Sequence, residues 1–347
     1  MRTVGWEIKG TFVLRCLNSV FQIDVLSWVY IGSLIPSVIG SISVLVVSIV
    51  RWRHLKEQVH VLVQLALADL LAALILMATS AMNKVHTSTS VRNAICPYSL
   101  PLSLTFYCIS FLLVVVYAWQ SRNAVKGWRA RPAEDEGGQS LVTLPVYAIV
   151  WLIPISIYLA YVHKLSQFPT SDRSSIKNCS CILFLQQFTN DSCSGKIHDI
   201  FIQVFLVSVV IPVILTCSVI YHKVGKWYKR QQEQEGLFPV EGDGRSRRRL
   251  KRMISTARNM VMVIFFCWMP AVVLIPILLS THDVKQNILF VLLVIQAVTM
   301  SLQGFLNSMV YAWSRPNFTE AVLGEKTPLV TYDHQAFFDE SLRTSAC

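Results

Sequence analysis

Charged residues are scarce in this chain. They make up 15% of 347 residues, against 53% hydrophobic, a balance that leaves too little polar surface to clothe a water-soluble domain. The first 24 residues have no continuous apolar core, because Arg2, Glu7, Lys9 and Arg15 interrupt them. A cleavable signal is therefore not expected, and the first span is expected to act as its own insertion signal. Cysteine is also thin. The nine thiols are too few and too scattered for a disulfide-built secreted scaffold, and no Cys-x-x-Cys or His/Cys cluster has the spacing of a zinc site. The eight histidines all fall in loops or at the ends of apolar runs, so the inward-facing His/Asp set of a membrane-embedded metal hydrolase is missing and no catalytic residue is expected. The net charge of +11 does not indicate nucleic acid, since the basic residues sit in segments between apolar runs and form no soluble basic face.

Long apolar runs are what the chain has. About 20 mostly apolar residues cross a bilayer core as a helix, and seven stretches meet that need: Trp28 to Val50, Val61 to Met82, Ser99 to Trp119, Leu141 to Tyr161, Ile200 to Tyr221, Val261 to Leu279 and Ile288 to Trp313. The expected fold is an all-α, seven-transmembrane helix bundle. Residues 1–27 form an external segment, 28–313 the bundle, and 314–347 a cytoplasmic tail with a short amphipathic eighth helix followed by disorder. With the N-terminus outside, 20 of the 31 Lys and Arg residues fall on the cytoplasmic side and 10 outside, as the positive-inside rule requires. Two glycosylation sequons, at Asn178 and Asn190, share the segment between spans four and five and point to the same orientation. A third, at Asn317, would then be cytoplasmic and unmodified. The cluster Arg245-Ser-Arg-Arg-Arg-Leu-Lys-Arg252 suits either a cytoplasmic anchor touching anionic lipid or a surface for a cytoplasmic partner.

An ionisable side chain in mid-span is costly and so carries either packing or function. Asp69 lies inside Leu65-Ala-Leu-Ala-Asp-Leu-Leu, and spans one, three and seven offer Ser41, Ser110, Gln303 and Asn307 as polar company. Those residues form a candidate polar core, readable equally as helix glue.

With that residue the chain resembles the rhodopsin-like G-protein-coupled receptors, as an atypical orphan. The likeness rests on the Leu-x-x-x-Asp of span two, Cys267-Trp-Met-Pro270 in span six, Asn307-Ser-Met-Val-Tyr311 in span seven and Phe318 beyond it. Gly40-Ser-Ile-Ser-Val44, Trp151, Pro212 and the outer Cys96 complete it. The run from Leu302 to Tyr311 is also similar to the cyclic-AMP-receptor-like class and to receptor-like "transmembrane protein" chains. The resemblance implies a sodium ion at Asp69 and no other cofactor, an activation switch at Trp268, Pro270, Tyr311, Ser121 and Arg122, and a Cys96–Cys181 disulfide, with Cys179 and Cys193 competing for Cys96 and the two left over pairing together or recruiting Cys16. It implies an orphan receptor passing a signal from an extracellular or membrane-borne ligand to a heterotrimeric G protein, in the plasma membrane or another secretory-pathway membrane. Two departures narrow this. The family's Asp-Arg-Tyr position reads Gln120-Ser121-Arg122, and the positions for an amine-binding carboxylate and a retinal-binding lysine are Ser103 and Ser301, which excludes amines and retinal. Trp268, Phe265, Phe266, Tyr107 and Gln296 could line an apolar pocket for a lipid or small organic molecule, but most of those aromatics read more simply as packing or lipid-facing residues. The alternative is a non-signalling multi-pass scaffold or trafficking protein without G-protein coupling.

Overall fold

The computed structural model describes residues 4–50, 58–84, 89–127, 139–167, 204–216, 244–279 and 286–314, with isolated positions between 218 and 226. Among them there is no strand. The helices are α1 (Val4–Val50), α2 (Gln58–Lys84), α3 (Thr89–Gly127), α4 (Gln139–Ser166), α5 (residues 204–216), α6 (Gly244–Leu279), α7 (Gln286–Ser301) and α8 (Gln303–Ser314). Five apolar stretches are long enough to cross a membrane: Phe21–Ile49, His60–Lys84, Ile95–Ser121, Pro145–Ser166 and Ile288–Tyr311, the last running through α7 and α8. Two shorter apolar helices, Val207–Thr216 and Arg258–Leu274, occupy the expected fifth and sixth spans. Among the described residues five spanning helices are thus clear where seven were expected. The eighth helix and tail expected beyond Ser314 lie outside the described residues.

Helices outrun the apolar runs that announce them. Backbone hydrogen bonding continues into polar flanks where hydropathy has already fallen, so α1 begins at Val4 and α6 at Gly244. Proline falls inside α1, α3 and α4, which a bundle tolerates when a neighbour re-satisfies the freed carbonyl. One such repair docks α4 on α3. Pro101 has no N–H to offer the carbonyl of Pro97, and the Tyr161 hydroxyl donates to that carbonyl at 3.0 Å.

The helices α1, α2, α3 and α6 close a ring with α7 and α8; α4 packs outside α3 and α5 against α6. The burial within each apolar stretch follows that layout, from 78% in α3 to 17% in α4. The outward faces are apolar, for example Ile149, Leu152, Ile153 and Ile157 on α4 and Met262, Phe265 and Phe266 on α6. Such faces suit contact with lipid tails. At one end of the bundle Lys84 of α2 forms an ion pair with Asp24 of α1 and lies 4.4 Å from the Trp28 ring centre, a cation–π contact that ties the first two spans.

Candidate functional site

The span-seven segment is where the polar side chains gather. A regular helix would join the Phe305 amide to the Ser301 carbonyl, four residues back. Here Ser37 of α1 stands between them. Its hydroxyl donates to the Ser301 carbonyl and accepts from the Phe305 amide at 3.1 Å. An inserted side chain of this kind opens a helix locally, and the break between α7 and α8 falls here. Around it the ladder resumes, with Leu302 N on Val298 O and Leu306 N on Leu302 O at 3.1 and 2.9 Å. Gly304 follows the break, and a β-carbon there would stand 3.1–3.3 Å from Ser41, Asp69 and Ser37. The absence of a side chain is what lets α8 approach α1 and α2 so closely.

That approach brings Gln303 and Asn307 to Asp69. The Gln303 amide donates to Asp69 Oδ1 and to Ser110 Oγ, both at 3.1 Å. Ser110 Oγ donates to Asp69 Oδ1 at 2.7 Å, and Asn307 Nδ2 to Asp69 Oδ2 at 2.7 Å. All four residues are at most 3% exposed. Helices α2, α3 and α8 therefore converge on one carboxylate met by three neutral donors, and no cation faces it among the described residues. The Trp268 indole extends the network to α6 by donating to Gln303 Oε1 at 2.6 Å. Its ring packs edge-on against Tyr107 and Phe111, with centroids 5.4 and 5.1 Å away, contacts worth about 1 kcal/mol each beyond area burial.

Beside Asp69 lies a small cavity lined by Asp69, Asn307, Ser308, Tyr311, Met260 and Val44, on the scale of a single water molecule. Asn307 Oδ1 and Ser41 Oγ are buried without a partner. Nearer the other end of the bundle, Tyr30 donates to Gln296 at 3.4 Å and Gln296 to Met300 Sδ at 3.3 Å. Among the described residues no group of three His, Cys, Asp or Glu side chains is placed to hold a metal ion.

The other sequence candidates do not share this centre. Trp268 is fully buried and reaches Asp69 only through Gln303, while Pro270 is half-buried on α6. Ser121 spends its hydroxyl on the Tyr117 carbonyl of its own helix, at 2.8 Å. The side chain of Arg122 lies outside the described residues, as do Asn178, Asn190 and Cys181. Cys96 is buried on α3 and disulfide-bonded. The aromatics offered for an apolar pocket divide instead between outward-facing and packing positions. Phe265 and Phe266 are 43% and 57% exposed and face outward, and Tyr107 and Trp268 fill the space between helices with each other's rings. Four polar residues were not foreseen in these roles. The Trp268 N–H had to find a partner once buried, and that was the available signal; nothing in the spacing singled out Ser37 or the Tyr30–Gln296 pair.

A family described as Transmembrane protein 116 matches residues 23–332. This overturns the assignment to the rhodopsin-like receptors. Its physical reason is that the motifs behind that resemblance are short, and each is what a buried helix junction needs in any bundle: a carboxylate hub with amide donors, a buried indole, small residues at a close crossing.

Proposed function

The chain belongs to the transmembrane protein 116 family, and from that premise we propose a seven-span membrane protein, N-terminus outside and C-terminus in the cytoplasm, that acts as a scaffold or trafficking protein without G-protein coupling. The carrying observation is that the buried carboxylate is fully engaged by neutral donors from neighbouring helices. Asp69 spends both carboxylate oxygens on Ser110, Gln303 and Asn307, and the cavity beside it has room for water and not for an organic ligand. A junction of that kind fastens helices together, as polar side chains do in lipid. The inner end of α3 agrees. It reads Gln120-Ser121-Arg122, with no carboxylate next to the arginine in the sequence and the serine donating to the Tyr117 carbonyl. No catalytic residue is assigned.

Two measurements test this. Expressed with a set of chimeric G proteins and no added ligand, the chain is expected to leave every reporter at the vector baseline; a rise above it that Asp69→Asn changes would overturn the scaffold reading. For orientation, Asn178→Gln and Asn190→Gln are each expected to remove one glycosidase-sensitive step in gel mobility, with Asn317→Gln removing none. Loss of a step at Asn317 would reverse the bundle. Cys96 is expected to map to Cys181 in non-reduced peptides; a Cys96–Cys179 or Cys96–Cys193 peptide would reassign the bridge.

A further inference from the structure

The helix α6 runs for 36 residues from Gly244 to Leu279, and its apolar part begins only at Arg258. The fourteen positions before it are helical too and extend the span by about 20 Å at 1.5 Å per residue. Six of them are basic: Arg245, Arg247, Arg248, Arg249, Lys251 and Arg252. No Asp or Glu occurs anywhere between Gly244 and Leu279. At helical spacing Leu250, Met253, Ile254 and Ala257 fall on one side, in an i, i+3, i+4, i+7 pattern, and the basic positions take the rest. A basic amphipathic segment rigidly continuous with a span is held beside the headgroup layer. There each added Lys or Arg strengthens attraction to anionic lipid, within a screening distance of about 10 Å.

We propose that this basic extension of α6, residues 244–257, is a binding site for anionic phospholipid headgroups of the cytoplasmic leaflet. The proposal rests on the orientation given above. Lipid is the occupant favoured by continuity with the span: the charges cannot leave the neighbourhood of the membrane, and the leaflet supplies anionic headgroups there at high local density. A soluble acidic protein would need a complementary surface, whereas a fluid leaflet rearranges to meet six charges spread around a helix.

The test uses the full-length protein exchanged into bilayer nanodiscs of phosphatidylcholine mixed with phosphatidylserine or a phosphatidylinositol bisphosphate. Lipid adducts are then counted by native mass spectrometry. Anionic adducts are expected to exceed phosphatidylcholine adducts by about tenfold, and quadruple replacement of Arg247, Arg248, Arg249 and Lys251 by Gln to bring the ratio close to one. Both proteins should melt at the same temperature, because the replaced residues lie outside the Asp69 network. A wild-type ratio near one overturns the proposal, as does a ratio unchanged in the quadruple variant, the result a soluble acidic partner would leave behind. Trypsin added to one face of sealed vesicles separates this from the orientation itself. Cleavage in 245–252 from the lumenal side would reverse the topology while leaving lipid selectivity readable.

Discussion

Asp69→Ala is expected to lower the unfolding free energy of the purified protein by about 3 kcal/mol, read as a fall in melting temperature in detergent or nanodiscs. The substitution deletes the one acceptor shared by Ser110, Gln303 and Asn307. Each orphaned buried donor costs about 1–3 kcal/mol in a dry interior, and polar pairs inside membrane bundles average nearer 0.6 kcal/mol because the separated helices find other partners. Three donors on one centre place the total between those bounds. Asp69→Asn is expected to cost under half as much. Its carbonyl oxygen can still accept from Ser110 and Gln303, and its new amide meets Asn307, whose own oxygen lacks a partner. Turning the Asn307 amide over presents that oxygen to the new donor. An Asp69→Asn protein as unstable as Asp69→Ala would show that the carboxylate charge, and not acceptor count, holds the junction; an Asp69→Ala protein that melts like the wild type would remove the network from the stability of the bundle.

The sequence made the hub legible for a simple reason. A carboxylate amid apolar residues stands out, and the bilayer leaves it few ways to be satisfied. The side chains that meet it were nameable because polar residues are sparse in spans three and seven: Ser110, Gln303 and Asn307 were among the few available. Orientations within the core were less legible. Phe265, Phe266, Cys267 and Trp268 are consecutive, yet the first two face outward and the last two are fully buried, a division set by how α6 is rotated against α3. The break between α7 and α8 was hidden altogether. It has no proline, and its cause, the Ser37 hydroxyl, lies 264 residues away in the chain. Family likeness failed at the same level. Short motifs record local demands of a buried junction, and different families meet those demands with the same few residue types.

Gly304 is where those demands are tightest, and substitutions there should read out the α1–α8 contact directly. A β-carbon would lie 3.1 Å from Ser41 Oγ and 3.3 Å from the β-carbons of Asp69 and Ser37. Atoms next to a packed backbone cannot swing aside, so Gly304→Ala must push α8 from α1 by a few tenths of an ångström. Overpacking of this size costs about 1–3 kcal/mol, more than the helix-propensity gain of about 1 kcal/mol that alanine brings over glycine. Gly304→Leu cannot be accommodated without separating the helices, which breaks the Ser37 bridge and withdraws Gln303 and Asn307 from Asp69; loss of a monodisperse folded protein is expected. A rescue separates crowding from other causes. Ser41 Oγ has no partner to lose, so Ser41→Ala clears the closest contact at little cost and should restore part of the melting temperature lost in Gly304→Ala. Gly32→Ala is the control: nothing lies within 4 Å of its β-position, and it should melt at or slightly above the wild-type temperature. If Gly304→Ala instead behaves like Gly32→Ala, α1 and α8 do not meet as closely as the Asp69 junction requires, and the register of α8 against α2 must be redrawn.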